Sequence, residues 1–390
     1  MTEQSVAKQP RLWAARAGVA ERAIYARHLR RVWGLPGTAL GVTRWPATYG
    51  QRLHGVWNYW WQAHLLDCLV DAQLRKPTRR RMATIRRLIR GVHVRNLNKW
   101  VNDFYDDVAW LGLALQRAGA LLGEWHLAAL TEIVTQLRTG WTDHAGGGIW
   151  WRRNDDFKNV PANGPAAILL LRVATDGSGV GEPADLARAR AIANWIEHNL
   201  IDPATGLAWD GLHVAPDGSV RSVEKNVYTY CQGVVLGTYV ELADATGEQI
   251  WTERAVRTID AISTHLTDQG GVLRGHGGGD GGLFTGILAR YLAQAALRLF
   301  DEDEERALAA RLVTTSAEAA WRNRGAAPGG PLFGADWLVP ATVPVRAYPH
   351  RLRPDAAASA LVPELDLSVQ LAGWMLLEAS AFLEAHDFGN

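Results

Sequence analysis

At 390 residues, 48% hydrophobic and 21% charged, the chain can bury a large core and has the composition of a globular protein, not of a disordered or fibrous one. A formal net charge of +1 exerts no global pull toward nucleic acid or anionic membrane, and the two cysteines, Cys68 and Cys231, lie in helical patterns without metal-ligand spacing. No segment is long and apolar enough to span a bilayer, and residues 1–31 lack the apolar run of a secretory leader, so a cytoplasmic protein with a single domain over 1–390 is expected.

Apolar residues recur at three- and four-residue spacing through 14–33, 59–74, 78–97, 107–121, 124–137, 162–173 and 184–200. The same period resumes through 228–244, 249–266, 282–300, 304–321 and 367–383, which makes twelve helices. Those in even positions are rich in small residues and nearly apolar on all sides, whereas those between carry Arg, Glu and Gln on one face. The alternation predicts an all-α fold, an (α/α)6 barrel of six inner and six outer helices. Short strands fit only 146–151 and 207–220. The run Arg79, Arg80, Arg81, Arg86, Arg87 and Arg90 reads as a solvated helix face.

The loops ahead of the inner helices are long and rich in Trp, Gly and Asp, as in Gly146-Gly147-Gly148-Ile149-Trp150-Trp151 and His276-Gly277-Gly278-Gly279-Asp280. Loops of that length in a compact domain are usually functional. In such a barrel the inner helices all start at one end, so their opening tracts converge on one mouth. These include Trp57-Asn58-Tyr59-Trp60-Trp61-Gln62, Asp106-Asp107, Asn163-Gly164-Pro165, Tyr228-Thr229-Tyr230-Cys231-Gln232-Gly233 and Asp280-Gly281-Gly282-Leu283-Phe284. The 18 tryptophans exceed what core packing requires, and indole faces suit the C–H face of a pyranose. Trp60, Trp61, Tyr105, Trp150, Trp151, Tyr228, Tyr230 and Phe284 are the candidate cleft wall, with one ring of each tryptophan pair expected to face the core.

Asp106 and Asp107 are the candidate catalytic pair. A retaining glycosidase needs one carboxylate to attack the anomeric carbon and a second acid, about 5–5.5 Å away, to protonate the leaving oxygen. Neighbours at a helix start, with Cα atoms about 3.8 Å apart and side chains diverging by about 100°, meet that need. Charges so close cannot ionise equally. The competing reading is helix capping, one Asp at the N-cap and one in the first turn. Asn163, Gln232 and Asp280 are candidate ligands for sugar hydroxyls; the amides also fit a role holding loop carbonyls, and Asp280 fits a helix cap. Asp155-Asp156, among Arg152, Arg153 and Lys158, reads as a solvated salt-bridge cluster.

Taken jointly and in order, Asp106-Asp107 with Trp110, Gly147-Gly148-Ile149-Trp150-Trp151, Lys158-Asn159 with Asn163-Gly164-Pro165, Tyr228-Thr229-Tyr230 with Gln232-Gly233, and Asp280-Gly281-Gly282-Leu283-Phe284 resemble glycoside hydrolase family 76. The resemblance runs over residues 57–377. It implies an (α/α)6 barrel that cleaves α-1,6-linked mannose chains with retention, Asp106 as nucleophile and Asp107 as general acid/base. It implies no metal or other cofactor, and an oligosaccharide or polysaccharide partner, not nucleic acid; a lipomannan-type glycan would suit a cytoplasmic enzyme. Cys231 stands where the family pattern has Asn, and Thr285 where it often has Lys, which leaves subsite preference open.

Two other classes fit the same barrel. A sugar epimerase of the N-acylglucosamine 2-epimerase type would move protons with histidines, and His54, His64, His144, His213 and His276 are available, with His276 the best placed and His64 read as a satisfied core residue. A non-catalytic glycan-binding protein would keep the tryptophans without needing Asp106 and Asp107, and a transglycosidase would use the same pair.

Overall fold

The computed structural model describes residues 11–299, 301–343 and 362–388; residues 1–10, part of the stretch expected to lack a secretory leader, and Phe300, at the end of the tenth expected helix, lie outside them. Among the described residues twelve long helices follow the expected order, joined by a single-turn helix α2 (Tyr49–Arg52). The inner ones are α3 (Tyr59–Arg75), α5 (Tyr105–Leu122), α7 (Val160–Val173), α9 (Thr229–Thr246), α11 (Gly281–Arg298) and α13 (Leu367–Ala385). The outer ones are α1 (Leu12–Arg27), α4 (Arg79–Arg95), α6 (Leu127–Gly140), α8 (Asp185–Leu200), α10 (Gln249–His265) and α12 (Asp303–Arg322). Each inner helix packs on the next, α13 closes the ring on α3, and the outer helices back them, most lying against two inner neighbours. Among the described residues no helix is long and apolar enough to cross a membrane.

Small residues let the inner helices approach closely. A Cβ on Gly286 of α11 would lie 2.6 Å from the Ala372 Cα of α13, and one on Gly237 of α9 would lie 2.4 Å from the Tyr291 ring. The helix expected over 14–33 ends at Arg27 instead. There the chain extends so that Leu29–Arg30 (β1) pairs antiparallel with Leu40–Gly41 (β2), and backbone pairing overrides a continuing apolar pattern. Of the stretches expected to hold strands, 207–220 contains Gly211–Val214 (β4) and touches Val220–Glu224 (β5), whereas 146–151 makes only isolated bridges. The third strand, Phe157–Asn159 (β3), pairs with β4 in the register Phe157↔His213, Lys158↔Leu212 and Asn159↔Gly211, and runs straight into α7.

One device recurs at the mouth. The fourth residue of α3, α7, α9 and α13 is a buried amide, Gln62, Asn163, Gln232 and Gln370. Each accepts from the N–H and donates to the C=O of one loop residue: Gly41, Ile149, Ala208 and Phe333 respectively. Each also donates to a carbonyl at the start of its own helix, Trp57, Asn159, Tyr228 or Glu364. The amide thus imitates a strand partner and fastens the preceding loop to the ring. Three buried hydrogen bonds per amide, each worth about 0.5–1.5 kcal/mol net, make these loops rigid platforms.

The far end of the ring is closed by ion pairs. Asp67 and Asp71 of α3 face Arg117 of α5 and Arg290 of α11, with Arg290–Asp67 at 2.6 Å and Arg290–Asp71 at 2.7 Å. Glu241 of α9 bridges Arg172 of α7 and Arg298 of α11, and Glu378 of α13 meets Arg75 of α3 at 2.8 Å. Such buried pairs are costly to break because each partner would be left as an unpaired charge.

Candidate active site

Asp106 and Asp107 both lie in the first turn of α5, and neither caps it. Phe104 occupies the N-cap position, and its own amide donates to Asn102 Oδ1 at 2.9 Å. The helix start is tied to the loop that leads to β3: the Tyr105 amide donates to the Trp151 carbonyl (2.9 Å), and the Trp151 amide to that of Phe157 (2.8 Å). This brings the Trp151 indole onto Asp106. Asp106 Oδ2 accepts from Trp151 Nε1 at 3.1 Å and Oδ1 from the Asp107 amide at 2.8 Å, while Asp107 Oδ2 accepts from Asn102 Nδ2 at 2.7 Å.

The two carboxyls titrate apart. Burial pushes Asp106 up to about 6, opposed by the Asp107 amide and the Trp151 indole, which favour its anion. Burial pushes Asp107 further, well above the usual carboxylate range, and the neighbouring Asp106 charge adds to it against one amide donor from Asn102. Asp106 is therefore the more readily ionised of the two, and Asp107 the one that holds its proton to higher pH.

A third carboxyl, Asp210, which the sequence reading passed over, belongs to the same field. Burial and the Asp106 charge push it up to about 7, and the Cys231 thiol lies 3.9 Å from its Oδ1. Its signal in the sequence is Trp209-Asp210-Gly211, an acid before glycine in a loop ahead of an inner helix, the context that marked Asp280. Asp280 is exposed and does not cap α11 with its side chain. Its Oδ1 accepts from both Trp60 Nε1 (3.1 Å) and Trp61 Nε1 (2.8 Å), and its charge helps raise Asp106 and Asp107.

The aromatic wall is built mainly from α3, α9 and α11. Tyr230 and Phe284 stack at 4.0 Å between ring centres, Trp60 lies 6.3 Å from Phe284 and 6.4 Å from Tyr230, and Tyr228 meets Phe284 edge-on at 5.3 Å. All four rings are half-buried, as sugar platforms must be. Other candidates turn away. Trp61 is 3% exposed and packs in the core. Tyr105 is buried against Gly140 of α6, where a Cβ would touch its ring. Trp150 lies over the Lys158 ammonium, 4.5 Å from the ring centre, beside His144. Asn163 and Gln232 are completely buried with both amide ends engaged by the loops, so the loop-holding role replaces the hydroxyl-ligand one. The departures from the family pattern are structural too: Thr285 Oγ1 donates to the Arg274 carbonyl at 2.8 Å.

Lys158 was read as part of a solvated cluster but is fully buried, donating to Thr142 O (2.9 Å), Thr142 Oγ1 (3.0 Å), His144 O (2.8 Å) and Gly147 O (2.6 Å). Burial lowers it to about 7. Asp155 pairs with Arg152 as expected, and Asp156 pairs with His213 and Arg221. His64 is in the core between Trp60 and Trp110, but its Nε2 has no partner among the described residues, so it is not the satisfied histidine expected. His276 accepts the Thr229 amide and is lowered to about 4 by burial, a poor proton shuttle for an epimerase.

The family model described as Glycosyl hydrolase family 76 matches residues 20–350. The fold superposes with TM-score 0.81 and 31% identity on the α-1,6-mannanase GH76A of Salegentibacter sp. HEL1_6, covering 95% of this chain and 99% of that one; that protein is an inactive variant with two consecutive aspartates replaced by asparagine, in complex with α-1,6-mannotriose. A family 76 mannosidase of Bacteroides thetaiotaomicron VPI-5482 shares the fold at 18% identity, with TM-score 0.76 over 96% of this chain and 99% of that one. The mannan endo-1,6-alpha-mannosidase DCW1 of Candida glabrata is 26% identical over 181 residues, 42% of this chain, and the match spans only 39% of that curated relative's length. This chain belongs to glycoside hydrolase family 76.

Proposed function

We propose that the chain is a retaining glycoside hydrolase that cleaves α-1,6-mannosidic bonds, with the barrel as its single catalytic domain, Asp106 as nucleophile and Asp107 as general acid/base. The observation that carries this reading is the unequal setting of two adjacent carboxyls, one whose anion is favoured by an indole and an amide, the other whose proton is favoured by burial and its neighbour's charge. In the first step Asp106 attacks the anomeric carbon while Asp107 gives its proton to the departing glycosidic oxygen; in the second, Asp107 takes a proton from water as that water displaces the sugar from Asp106. The wall of Trp60, Tyr228, Tyr230 and Phe284 offers apolar faces to successive sugar rings. Support comes also from the Salegentibacter relative, whose variants lacking two consecutive aspartates are described as inactive and hold α-1,6-mannotriose or α-1,6-mannotetrose.

The test is to incubate the protein with linear α-1,6-mannotetraose and resolve the products. Shorter α-1,6-linked mannose chains are expected. An unchanged tetrasaccharide, with α-1,2- or α-1,3-linked mannosides cleaved instead, would overturn the linkage assignment.

A further inference from the structure

The net charge conceals a segregation. Between Arg22 and Asn102 the sequence has 14 arginines and 2 lysines against two carboxylates, Asp67 and Asp71, which leaves 25 cations against 38 carboxylates elsewhere. The fold turns both carboxylates inward onto Arg117 and Arg290, so they neutralise nothing outside. Of the cations expected to be solvated on α4, only Arg81 is buried, paired with Glu21 at 2.7 Å; Arg79, Arg80, Arg86, Arg87 and Arg90 are exposed. Arg30, Arg31, Arg52 and Lys99 are exposed near the C-terminal end of α4. Near its N-terminal end Lys76 and Arg80 line a groove of about 1140 Å³ between α1 and α4. Among the described residues, Glu124 holds Arg86 at 2.6 Å, whereas Arg79, Arg87, Arg90 and Lys99 make no ion pair.

The same face exposes large apolar side chains at its mouth end. Tyr49 is 79% exposed, Leu97 73% and Val56 65%, with Trp33, Leu35 and Leu53 also exposed. They form one surface with the cations: Trp33 Nε1 donates to the Leu53 carbonyl at 2.9 Å, the Arg95 guanidinium lies over the Trp33 and Trp57 rings, and the Ala39 amide donates to the Arg87 carbonyl of α4. Leu97 is held at φ +55, a left-handed conformation that favours glycine or asparagine, yet it carries a leucine aimed at solvent.

We propose that this face docks the protein on an anionic lipid bilayer, with Trp33, Tyr49, Val56 and Leu97 entering the interface and the arginines of α4 and its flanking loops lying over headgroup phosphates. Basic residues bordering exposed aromatic and aliphatic ones are the recognised chemistry of peripheral membrane binding. A nucleic-acid backbone would use the cations and leave the protruding apolar side chains in water. Val56 directly precedes the Trp57-to-Trp61 tract that opens α3, so a bilayer on this face lies beside the mouth. The inference does not rest on the catalytic reading, and its test needs no substrate.

The full chain is sedimented with vesicles of phosphatidylcholine alone and of phosphatidylcholine containing phosphatidylglycerol. Pelleting with the anionic vesicles is expected, weaker by about tenfold or more on neutral ones and reduced by high salt. Two triple variants separate the parts: Arg79→Glu/Arg87→Glu/Arg90→Glu, and Tyr49→Ser/Val56→Ser/Leu97→Ser. Each is expected to weaken partition by about tenfold or more, with an unchanged circular dichroism spectrum. No pelleting with anionic vesicles overturns the proposal. So does an apolar triple that binds vesicles as the unmodified chain does, in which case retention on duplex DNA lost only with the charge reversals would make the face a site for polyanions. If either triple fails to fold, the comparison of neutral and anionic vesicles still decides.

Discussion

Trp151→Phe isolates how the structure sets the acidity of Asp106. Phenylalanine keeps an aromatic ring beside Phe104 and Phe157 but removes the Nε1–H that donates to Asp106 Oδ2 at 3.1 Å. A hydrogen bond to a charged group is worth about 1.5–3 kcal/mol, and one pH unit corresponds to about 1.4 kcal/mol, so losing it raises the Asp106 pKa by about 1–2 units. In the unmodified chain that carboxyl already stands at about 6 through burial. The proposed nucleophile must be ionised, so the acidic limb of kcat/KM, which reports the free enzyme, shifts upward by the same amount. At pH 6, where half of the unmodified chains are already protonated, the variant loses about five- to fiftyfold in kcat/KM, and much of that returns above the shifted limb. The assay is the initial rate on mannotetraose across pH. A uniform loss at every pH with an unmoved acidic limb would refute the reasoning and reduce Trp151 to a stacking surface.

Further outcomes follow from the same geometry. Asp106→Asn and Asp107→Asn should each cut kcat on mannotetraose by about a thousandfold or more, but an aryl mannoside with a good leaving group should restore the glycosylation step only in Asp107→Asn, as seen by a burst of released phenol. Because burial raises the folded-state pKa of Asp106 to about 6, its contribution to stability is complete below the ordinary carboxylate range and is lost as pH rises through about 6. Asp106→Asn should therefore be more stable than the unmodified chain at pH 8, by about 1–2 kcal/mol after allowance for partial exposure, and not at pH 4, as measured by denaturant midpoints. Gln232→Met leaves the Ala208 N–H and C=O and the Tyr228 carbonyl without their partner, which should cost about 3–5 kcal/mol, while KM of the folded fraction stays near its original value. A rise in KM with little loss of stability would return Gln232 to the sugar-binding set.

Periodicity carried the architecture: an inner helix such as α13 is apolar on every side and an outer one such as α4 is not, and that difference is written in the residues themselves. Convergence of the helix starts on a mouth, and with it Asp106, Asp107, Trp60, Tyr230 and Phe284, followed from the alternation. What escaped depends on direction. Trp60 and Trp61 are about 100° apart on their helix, and only the packed ring decides which of them faces the cleft. The amides at Asn163 and Gln232 look like ligands in sequence because their loop partners, Ile149 and Ala208, are 14 and 24 residues away. The charges at the far end of the ring, Asp67, Asp71, Arg117 and Arg290, pair between helices and leave no local pattern. A net charge of +1 likewise reports a sum and says nothing of where the cations gather.

The most direct test of the central claim is to react the protein with a fluorinated, activated α-mannosyl donor that forms a slowly hydrolysed glycosyl-enzyme, digest it, and locate the added mannosyl mass by tandem mass spectrometry. A single adduct on the Asp106 carboxyl is expected. An adduct on Asp107, Asp210 or Asp280, or no adduct from a protein that still turns over mannotetraose, would contradict it.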